Sequence, residues 1–108
     1  MWGKLNYDNA NNPAFSKLLL VVFDENAEPG QLTDDQSAQL QFLVRSILQF
    51  QQAQYLLWRS GTLPGEYYET RKDWTRWFVR LPLVAPILAY ERTQPGVLYD
   101  EFYDFITQ

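Results

Sequence analysis

Three carboxylates in the second half of the chain have a spacing that could do chemistry. Glu66, Glu69 and Asp73 stand at positions i, i+3 and i+7, so a helix would place them on one side. Carboxylate oxygens in such an arrangement are ligands that Mg²⁺ or Ca²⁺ accept. The competing interpretation is a solvated acidic face, whose basic partners would be Arg71, Lys72 and Arg76. Carboxylate metal bundles usually add Glu-x-x-His pairs, and the chain contains no histidine, so we favour the solvated face and predict no metal site.

A second acidic group near the C-terminus could supply a general acid and a general base. Asp100, Glu101 and Asp104 would need a cleft that separates their pKa values for that chemistry. Helix capping and a charged outer face explain the same residues more simply. The sequence has neither histidine nor cysteine, so its hydroxyl groups lack the usual activating base. Its five glycines are isolated and form no phosphate-binding loop. We therefore predict no catalytic residue, no cofactor and no enzymatic activity.

Tryptophan and arginine alternate in the middle of the chain, and this pattern is the strongest functional signal. The residues are Trp58, Arg59, Trp74, Arg76, Trp77 and Arg80. Aromatic rings beside arginines can hold single-stranded nucleic acid, but 13 acidic residues against nine basic ones disfavour that interpretation. Internal packing of the rings under guanidinium groups is favoured for most of the set. For the exposed members we predict contacts with a protein partner, at Arg59, Trp77 and Arg80.

Five helical segments are predicted to position these residues. Asn12 and Pro13 begin the first, which ends at about Phe23, although a buried strand over 18–23 is the alternative. Thr33 and Gln36 form a capping box for a long helix that ends near Ser60, before Gly61. Further helices are predicted over 65–81, over 83–92 with Pro86 in the first turn, and after a cap at Asp100, where Phe102, Phe105 and Ile106 would face inward. The fold class is all-α, a small bundle with one long central helix, two medium helices and two short C-terminal ones. Residues 1–12 form a polar tail, and 13–108 form a single domain.

The long helix carries two neighbouring apolar stripes. One stripe runs through Leu40, Leu43, Ile47, Phe50, Gln54 and Leu57, and the other through Val44, Leu48, Tyr55 and Trp58. Two stripes predict a helix packed on both sides at the centre of the bundle. Four glutamines of this helix (Gln49, Gln51, Gln52 and Gln54) are expected on its wet face, with a polar seam as the alternative. In the next helix, one inward face is predicted to hold Tyr67, Arg71, Trp74, Phe78 and Leu81.

The second half of the chain contains several aromatic stretches. These are Tyr55-Leu56-Leu57-Trp58-Arg59-Ser60-Gly61, Leu63-Pro64-Gly65-Glu66-Tyr67-Tyr68, Trp74-Thr75-Arg76-Trp77-Phe78 before Pro82, and Glu101-Phe102-Tyr103-Asp104-Phe105-Ile106. On these stretches, roughly residues 33–106 resemble a helical domain of bacterial proteins of the domain-of-unknown-function type. Members of that group often carry the domain on the cytoplasmic side of an N-terminal membrane segment. The resemblance implies a helical fold and a membrane anchor upstream of Met1, but no activity.

These observations lead to one favoured function and one alternative. The favoured function is a non-enzymatic helical module that binds a protein partner or a second copy of itself. A homodimer is the simplest way to cover an aromatic content of 17%. We expect a cytoplasmic protein that contacts a membrane only through a segment outside this chain, and no nucleic-acid partner. The alternative is a phage-type inhibitor that occludes a nucleic-acid site on a partner. Its acidic patch would hold Asp24, Glu25, Glu28, Asp34 and Asp35.

Overall fold

The computed structural model describes residues 13–108, which contain five α-helices and one 3-10 turn and no strand. The helices are α1 (Pro13–Val22), α2 (Asp34–Arg59), α3 (Gly65–Phe78), α4 (Ala85–Arg92) and α5 (Asp100–Ile106), and the turn spans Pro29–Gln31. The prediction of an all-α fold with one long helix is confirmed, and the strand alternative over 18–23 is wrong. The predicted polar tail and the cap at Asn12 lie outside the described residues. No helix within 13–108 is both long enough and apolar enough to cross a membrane.

Local chemistry sets both ends of α2. The Thr33 hydroxyl accepts a hydrogen bond from the Gln36 amide at 3.2 Å, and the Gln36 side chain accepts one from the Thr33 amide at 2.9 Å. This reciprocal pair is the predicted capping box. At the other end the Gly61 amide donates to the Trp58 carbonyl at 3.0 Å. Gly61 has a φ of 81°, so the chain leaves the helix through a conformation that favours glycine.

One face of α2 lies at the centre of the hydrophobic core. Its buried residues are Leu40, Val44, Leu48, Gln51 and Tyr55. Helices α1, α3 and α4 pack against α2, and α5 packs against α3. The prediction of a helix buried along both stripes is wrong for part of the first stripe, because Phe50 and Leu57 are 53% and 40% exposed. The short domain covers only one side of this long helix.

A cluster of rings joins α2, α3 and α5. The Tyr55 ring centroid lies 5.5 Å from that of Phe102 and 5.1 Å from that of Phe105, and Trp58 stacks on Tyr68 at 4.7 Å. That stacking turns α3 so that Tyr68, Thr75 and Phe78 are buried. The inward face predicted for this helix is therefore wrong at Tyr67 and Trp74, which are 42% and 37% exposed.

Two glutamines of α2 contribute polar contacts inside the fold. Gln51 is buried, and its side-chain oxygen accepts a hydrogen bond from the Thr75 hydroxyl at 3.3 Å. Gln52 donates to the Val97 carbonyl and accepts from the Tyr99 amide at 2.9 Å, which fixes the loop before α5. The prediction that the glutamines of α2 lie on its solvent-exposed face is wrong for these two residues. They form polar contacts inside the fold, which was the alternative.

The connection between α3 and α4 is longer than the sequence predicts. Helix α3 ends at Phe78 and α4 starts at Ala85. Residues 79–84 turn tightly between them and bury Leu81 and Leu83. The predicted helix ends at 81 and 83 are therefore wrong by two or three residues, because these leucines reach the core from the turn.

The two C-terminal helices begin close to their predicted positions. Pro86 lies in the first turn of α4, as predicted. Asp100 is the first residue of α5 and does not cap it, since the cap position is Tyr99. The inward face predicted for α5 agrees with the structure. Phe102 and Ile106 are buried, and Phe105 is half-buried.

An ion pair with a buried carboxylate attaches α4 to α2. The Glu91 side chain is fully buried, and its Oε2 accepts a hydrogen bond from Nε of Arg45 at 2.9 Å and forms an ion pair with Nη2 of Arg45 at 2.9 Å. The hydrogen bond to Glu91 and then the charge of that carboxylate raise the pKa of Arg45 above its ordinary value. A buried carboxylate needs such a partner, because its charged form is costly to remove from water. Arg45 therefore links α2 to α4 through Glu91, although its own side chain remains 40% exposed.

Replacing Gly61 with alanine is expected to lower the free energy of unfolding by about 1 kcal/mol, because a β-carbon is strained at a positive φ. Gly65→Ala is the matched control. Gly65 opens α3 with a similarly empty surrounding, so alanine should be neutral or slightly stabilising there. Urea denaturation of both variants measures the difference. Equal losses at the two positions would contradict this account of how α2 ends.

Raising the pH above 10 is expected to destabilise the domain through its two buried tyrosines. Burial, the largest cause for both, raises the pKa of Tyr55 and of Tyr68 to about 12. The folded chain thus holds these protons more tightly than the unfolded chain, whose tyrosines titrate near 10. The resulting stabilisation is complete below about pH 10 and is lost as the pH rises through about 12. Tyr68→Phe should remove about half of the stability difference between pH 8 and pH 11. Urea midpoints at the two pH values measure it, and an unchanged difference in this variant would refute the assignment.

Candidate interaction surface

Trp77 lies at the end of α3 and holds the segment after α1 in place. Its ring stacks on Phe23 with centroids 6.2 Å apart and planes 9° apart. Its indole Nε1 donates a hydrogen bond to Oε1 of Glu25 at 3.1 Å. The side chain nevertheless remains 38% exposed. Trp77 therefore combines a fixed orientation with an accessible ring.

Two further rings extend this arrangement across the surface. Trp74 lies one helical turn before Trp77, with centroids 6.2 Å apart, and it stacks on Phe78 at 5.0 Å. Phe78 is fully buried and also contacts Phe23 at 6.0 Å. Phe23, Trp74 and Trp77 are each more than one-third exposed, and we call them the aromatic ridge. The buried ring of Phe78 supports this ridge from below.

A depression lies beside Trp77 of the aromatic ridge, and a groove lies beside Phe23. The depression, of about 260 Å³, is lined by Glu25, Trp77, Arg80, Leu81 and Pro82. The groove, of about 550 Å³, runs along α1 between Ser16, Leu19, Leu20 and Phe23. Leu20 is 76% exposed, so the apolar surface continues from the ridge onto α1. Helix α1 and the end of α3 thus present one largely apolar face.

Charges flank this face in a defined way. Arg80 lies beside Trp77, and its Nη2 donates to the backbone carbonyl of Gln108 at 3.0 Å. Asp24, Glu25 and Glu28 come shortly after α1 and are all exposed. Asp24 accepts a hydrogen bond from the amide of residue 26, which orders the turn after α1. An apolar surface with acidic groups at one border can select the orientation of a binding segment.

The structure brings together two of the three predicted contact residues. Trp77 and Arg80 line the same depression, whereas Arg59 lies at the end of α2. The Arg59 Nε forms an ion pair with Oε1 of Glu101 at 2.9 Å, and both side chains are largely exposed. Arg59 therefore does not belong to the surface around the aromatic ridge.

The remaining members of the tryptophan and arginine set pack inside the domain or against it. Trp58 is half-buried in the ring cluster. The Arg76 guanidinium lies 4.7 Å from the Phe105 centroid, and its Nε donates to the Phe105 carbonyl at 3.2 Å. The cation–π packing expected between arginines and tryptophans of the set is not confirmed at this position, because the ring under Arg76 is Phe105. Phe23 and Leu20 were not predicted as part of the surface, because apolar residues in and just after α1 could equally have faced the core.

The two acidic groups of the sequence act as surface charges in the described structure. Lys72 pairs with Glu69 at 2.6 Å, as the spacing predicts. Asp100 pairs with Arg92 at 2.7 Å and so connects α5 to the end of α4. Within residues 13–108, no three carboxylates come close enough together to hold a metal ion. In the part of the chain that the structure describes, Glu69, Asp100 and Glu101 serve as partners of basic side chains.

Comparison with known proteins gives no relative for this chain. No family model matches it, and no curated protein and no solved structure shows significant similarity. The surfaces of the molecule itself therefore carry the information about its function.

Proposed function

We propose that this protein is a non-enzymatic helical module that binds a protein partner through the aromatic ridge and the groove on α1. The observation that carries the proposal is the exposed ridge of Phe23, Trp74 and Trp77, held rigid by Phe78 and Glu25. Residues that dominate protein interfaces are enriched in tryptophan, tyrosine and arginine, and binding is favoured when they are fixed in advance. Here two tryptophans and a neighbouring arginine meet these conditions.

The shape and charge of the surface favour one kind of partner. The groove on α1 is lined mainly by apolar side chains, which suits the apolar side of an amphipathic helix. The exposed carboxylates of Asp24 and Glu28 lie after Phe23, so basic residues at one end of that helix would pair with them. We therefore expect a partner helix with large apolar anchors and Lys or Arg near one end. The resemblance at sequence level supplies a setting for this proposal, on the cytosolic side of a membrane-anchored bacterial protein.

Trp77→Ala is expected to raise the dissociation constant for the native partner about 30-fold, because it removes the central ring of the surface. Arg80→Ala should raise it several-fold. Tyr90→Ala is the matched control, since Tyr90 is a 50% exposed aromatic residue on α4, and it should change the constant less than about twofold. The partner is captured from cells of the source organism with the immobilised domain, purified, and titrated against each variant by calorimetry.

The stability of each variant is measured, so that a loss of affinity can be distinguished from a loss of folding. Trp77→Ala also loses the stack on Phe23 and the bond to Glu25, so its urea midpoint is measured alongside. Among the described residues, the Arg80 guanidinium donates a hydrogen bond to the Gln108 carbonyl. Arg80→Ala therefore tests the contribution of this surface to binding without a large effect on stability. Unchanged affinity in folded Trp77→Ala and Arg80→Ala would refute the proposal.

A second candidate function follows from the exposed carboxylates between α1 and α2. Asp24, Glu25, Glu28, Asp34 and Asp35 all lie on the surface within a short stretch of chain. Such a patch could cover a nucleic-acid site on a basic partner. In that case binding would weaken steeply with salt and would be lost in an Asp34→Asn/Asp35→Asn double variant while Trp77→Ala still binds. The opposite pattern supports the aromatic ridge.

A further inference from the structure

The longest helix of the domain turns an uncharged face to the outside. Between Gln36 and Trp58 the only charged residue is Arg45, which pairs with the buried Glu91. The exposed positions of α2 over 37–57 hold only alanine, serine, glutamine, leucine and phenylalanine. A helix that faces water normally carries charged side chains on its outer side. An uncharged face that is about 30 Å long, at 1.5 Å per residue, indicates a surface that another molecule covers.

Large apolar side chains on this face are more exposed than those of the aromatic ridge. Phe42 is 74% exposed and Phe50 is 53% exposed, and Leu56 and Leu57 are 42% and 40% exposed. With roughly 200 Å² for a phenylalanine side chain, Phe42 and Phe50 alone present on the order of 250 Å² of ring surface. The neighbouring leucines and small residues bring the face to the roughly 500 Å² per partner that a small specific interface needs.

Six residues follow one line along this face with the spacing of a coiled coil. All six are exposed, and they succeed one another at alternating steps of three and four residues: Gln39, Phe42, Ser46, Gln49, Ala53 and Leu56. Alternating steps of three and four give the 3.5-residue repeat that brings two helices into side-by-side contact. Large apolar side chains lie towards both ends of this line, and small or polar ones lie between them. We call these six residues the outer seam of α2.

From this pattern we infer that the outer seam is the interface of a symmetric homodimer, in which two α2 helices pack antiparallel. The two-fold axis passes between residues 47 and 48. Phe42 then faces Ala53 of the partner subunit, so each of these layers joins one large and one small side chain. Leu56 faces Gln39 of the partner subunit, whose flexible stem covers the leucine while its amide reaches water.

The centre and one edge of this contact also fit a second copy. At the centre Ser46 faces Gln49 of the partner subunit. The Ser46 hydroxyl already donates to the Phe42 carbonyl at 2.9 Å, so its oxygen is available to accept a hydrogen bond from that glutamine amide. Such a polar pair fixes the register of two helices. Phe50 lies along the edge of the seam, where it meets Leu43 of the partner subunit.

A parallel arrangement of the same two helices packs poorly. It would place Phe42 against Phe42 of the partner subunit and Ala53 against Ala53 of the partner subunit. The first layer would be overfilled and the second would leave a cavity, and both faults destabilise an interface. The sequence of the outer seam therefore favours the antiparallel direction.

The charges near the outer seam are compatible with a second copy of the chain as the partner. Each chain carries a net charge of −4, so two copies repel at long range. The outer seam contains no carboxylate, so the antiparallel dimer brings no like charges into direct contact there. At each end Arg59 comes close to Asp35 of the partner subunit, and these opposite charges attract. This interface uses residues other than those of the aromatic ridge. An experiment can therefore support or refute the dimer independently of the proposed function.

Sedimentation equilibrium of the intact chain is expected to give a mass near twice 12.8 kDa at micromolar concentrations. Phe42→Asp should raise the dimer dissociation constant at least about 100-fold, because it places two carboxylates in the apolar interface. Tyr90→Asp is the matched control: Tyr90 is also an exposed aromatic residue on a helix, and this change should leave the constant within about twofold.

A second set of variants separates a specific interface from general stickiness. Ala53→Phe adds apolar surface but fills the space that receives Phe42 of the partner subunit, so it should raise the dissociation constant about tenfold. The double variant Phe42→Ala/Ala53→Phe exchanges the large and small members of the same layers and should restore association to within about threefold of the wild-type constant. Circular dichroism checks that each variant remains helical. A monomeric wild-type chain would overturn the inference, as would tighter association of Ala53→Phe or equal effects of Phe42→Asp and Tyr90→Asp.

Discussion

Helix α2 carries apolar residues around more of its circumference than the rest of this small domain covers. Leu40, Val44 and Leu48 belong to the common surface on which α1, α3 and α4 pack. The opposite side, with Phe42 and Phe50, faces outward. This asymmetry explains why the core is closed by short elements, and why the outer surface of the longest helix has the composition of an interface. The packing of the domain and its proposed self-association thus have one origin.

The aromatic residues form two groups in different parts of the domain, and each group has its own role. Around Tyr55, rings such as the stacked pair of Trp58 and Tyr68 join α2 to α3 and α5 without a disulfide, in a chain that has no cysteine. At the far end of α3, Trp77 is held by Phe23 but remains accessible. The first group stabilises the fold, because its rings are largely removed from water. The second group is organised in advance for contact with a partner, which reduces the entropy that binding must overcome.

Local signals in the sequence predicted helix ends better than they predicted helix faces. The capping box that starts α2 and the exit at Gly61 depend on neighbouring residues, and both were predictable. The face of α3 was not, because Tyr68 is drawn inward by stacking on Trp58, a contact between separate helices. The partnership of Trp77 with Glu25, 52 residues apart, had no signal in the spacing of either residue. Similarly, periodicity identified two stripes on α2, but only the packed structure decides which stripe is covered.

Distances between two subunits show directly whether a second copy covers the outer face of α2. Because the chain has no cysteine, single spin labels can be placed at Ser37→Cys or Ser60→Cys and read by pulsed electron paramagnetic resonance. In the antiparallel dimer, the two labels at position 37 are separated along the helix axis by about 32 Å, and the two labels at position 60 by about 38 Å, at 1.5 Å per residue. Mixed dimers that carry one label at each position should instead give a shorter distance, because residue 37 of one subunit and residue 60 of the other lie at nearly the same level along the paired helices. Short distances in the singly labelled dimers with a long one in the mixed dimer, or no dipolar coupling in any sample, would contradict the account.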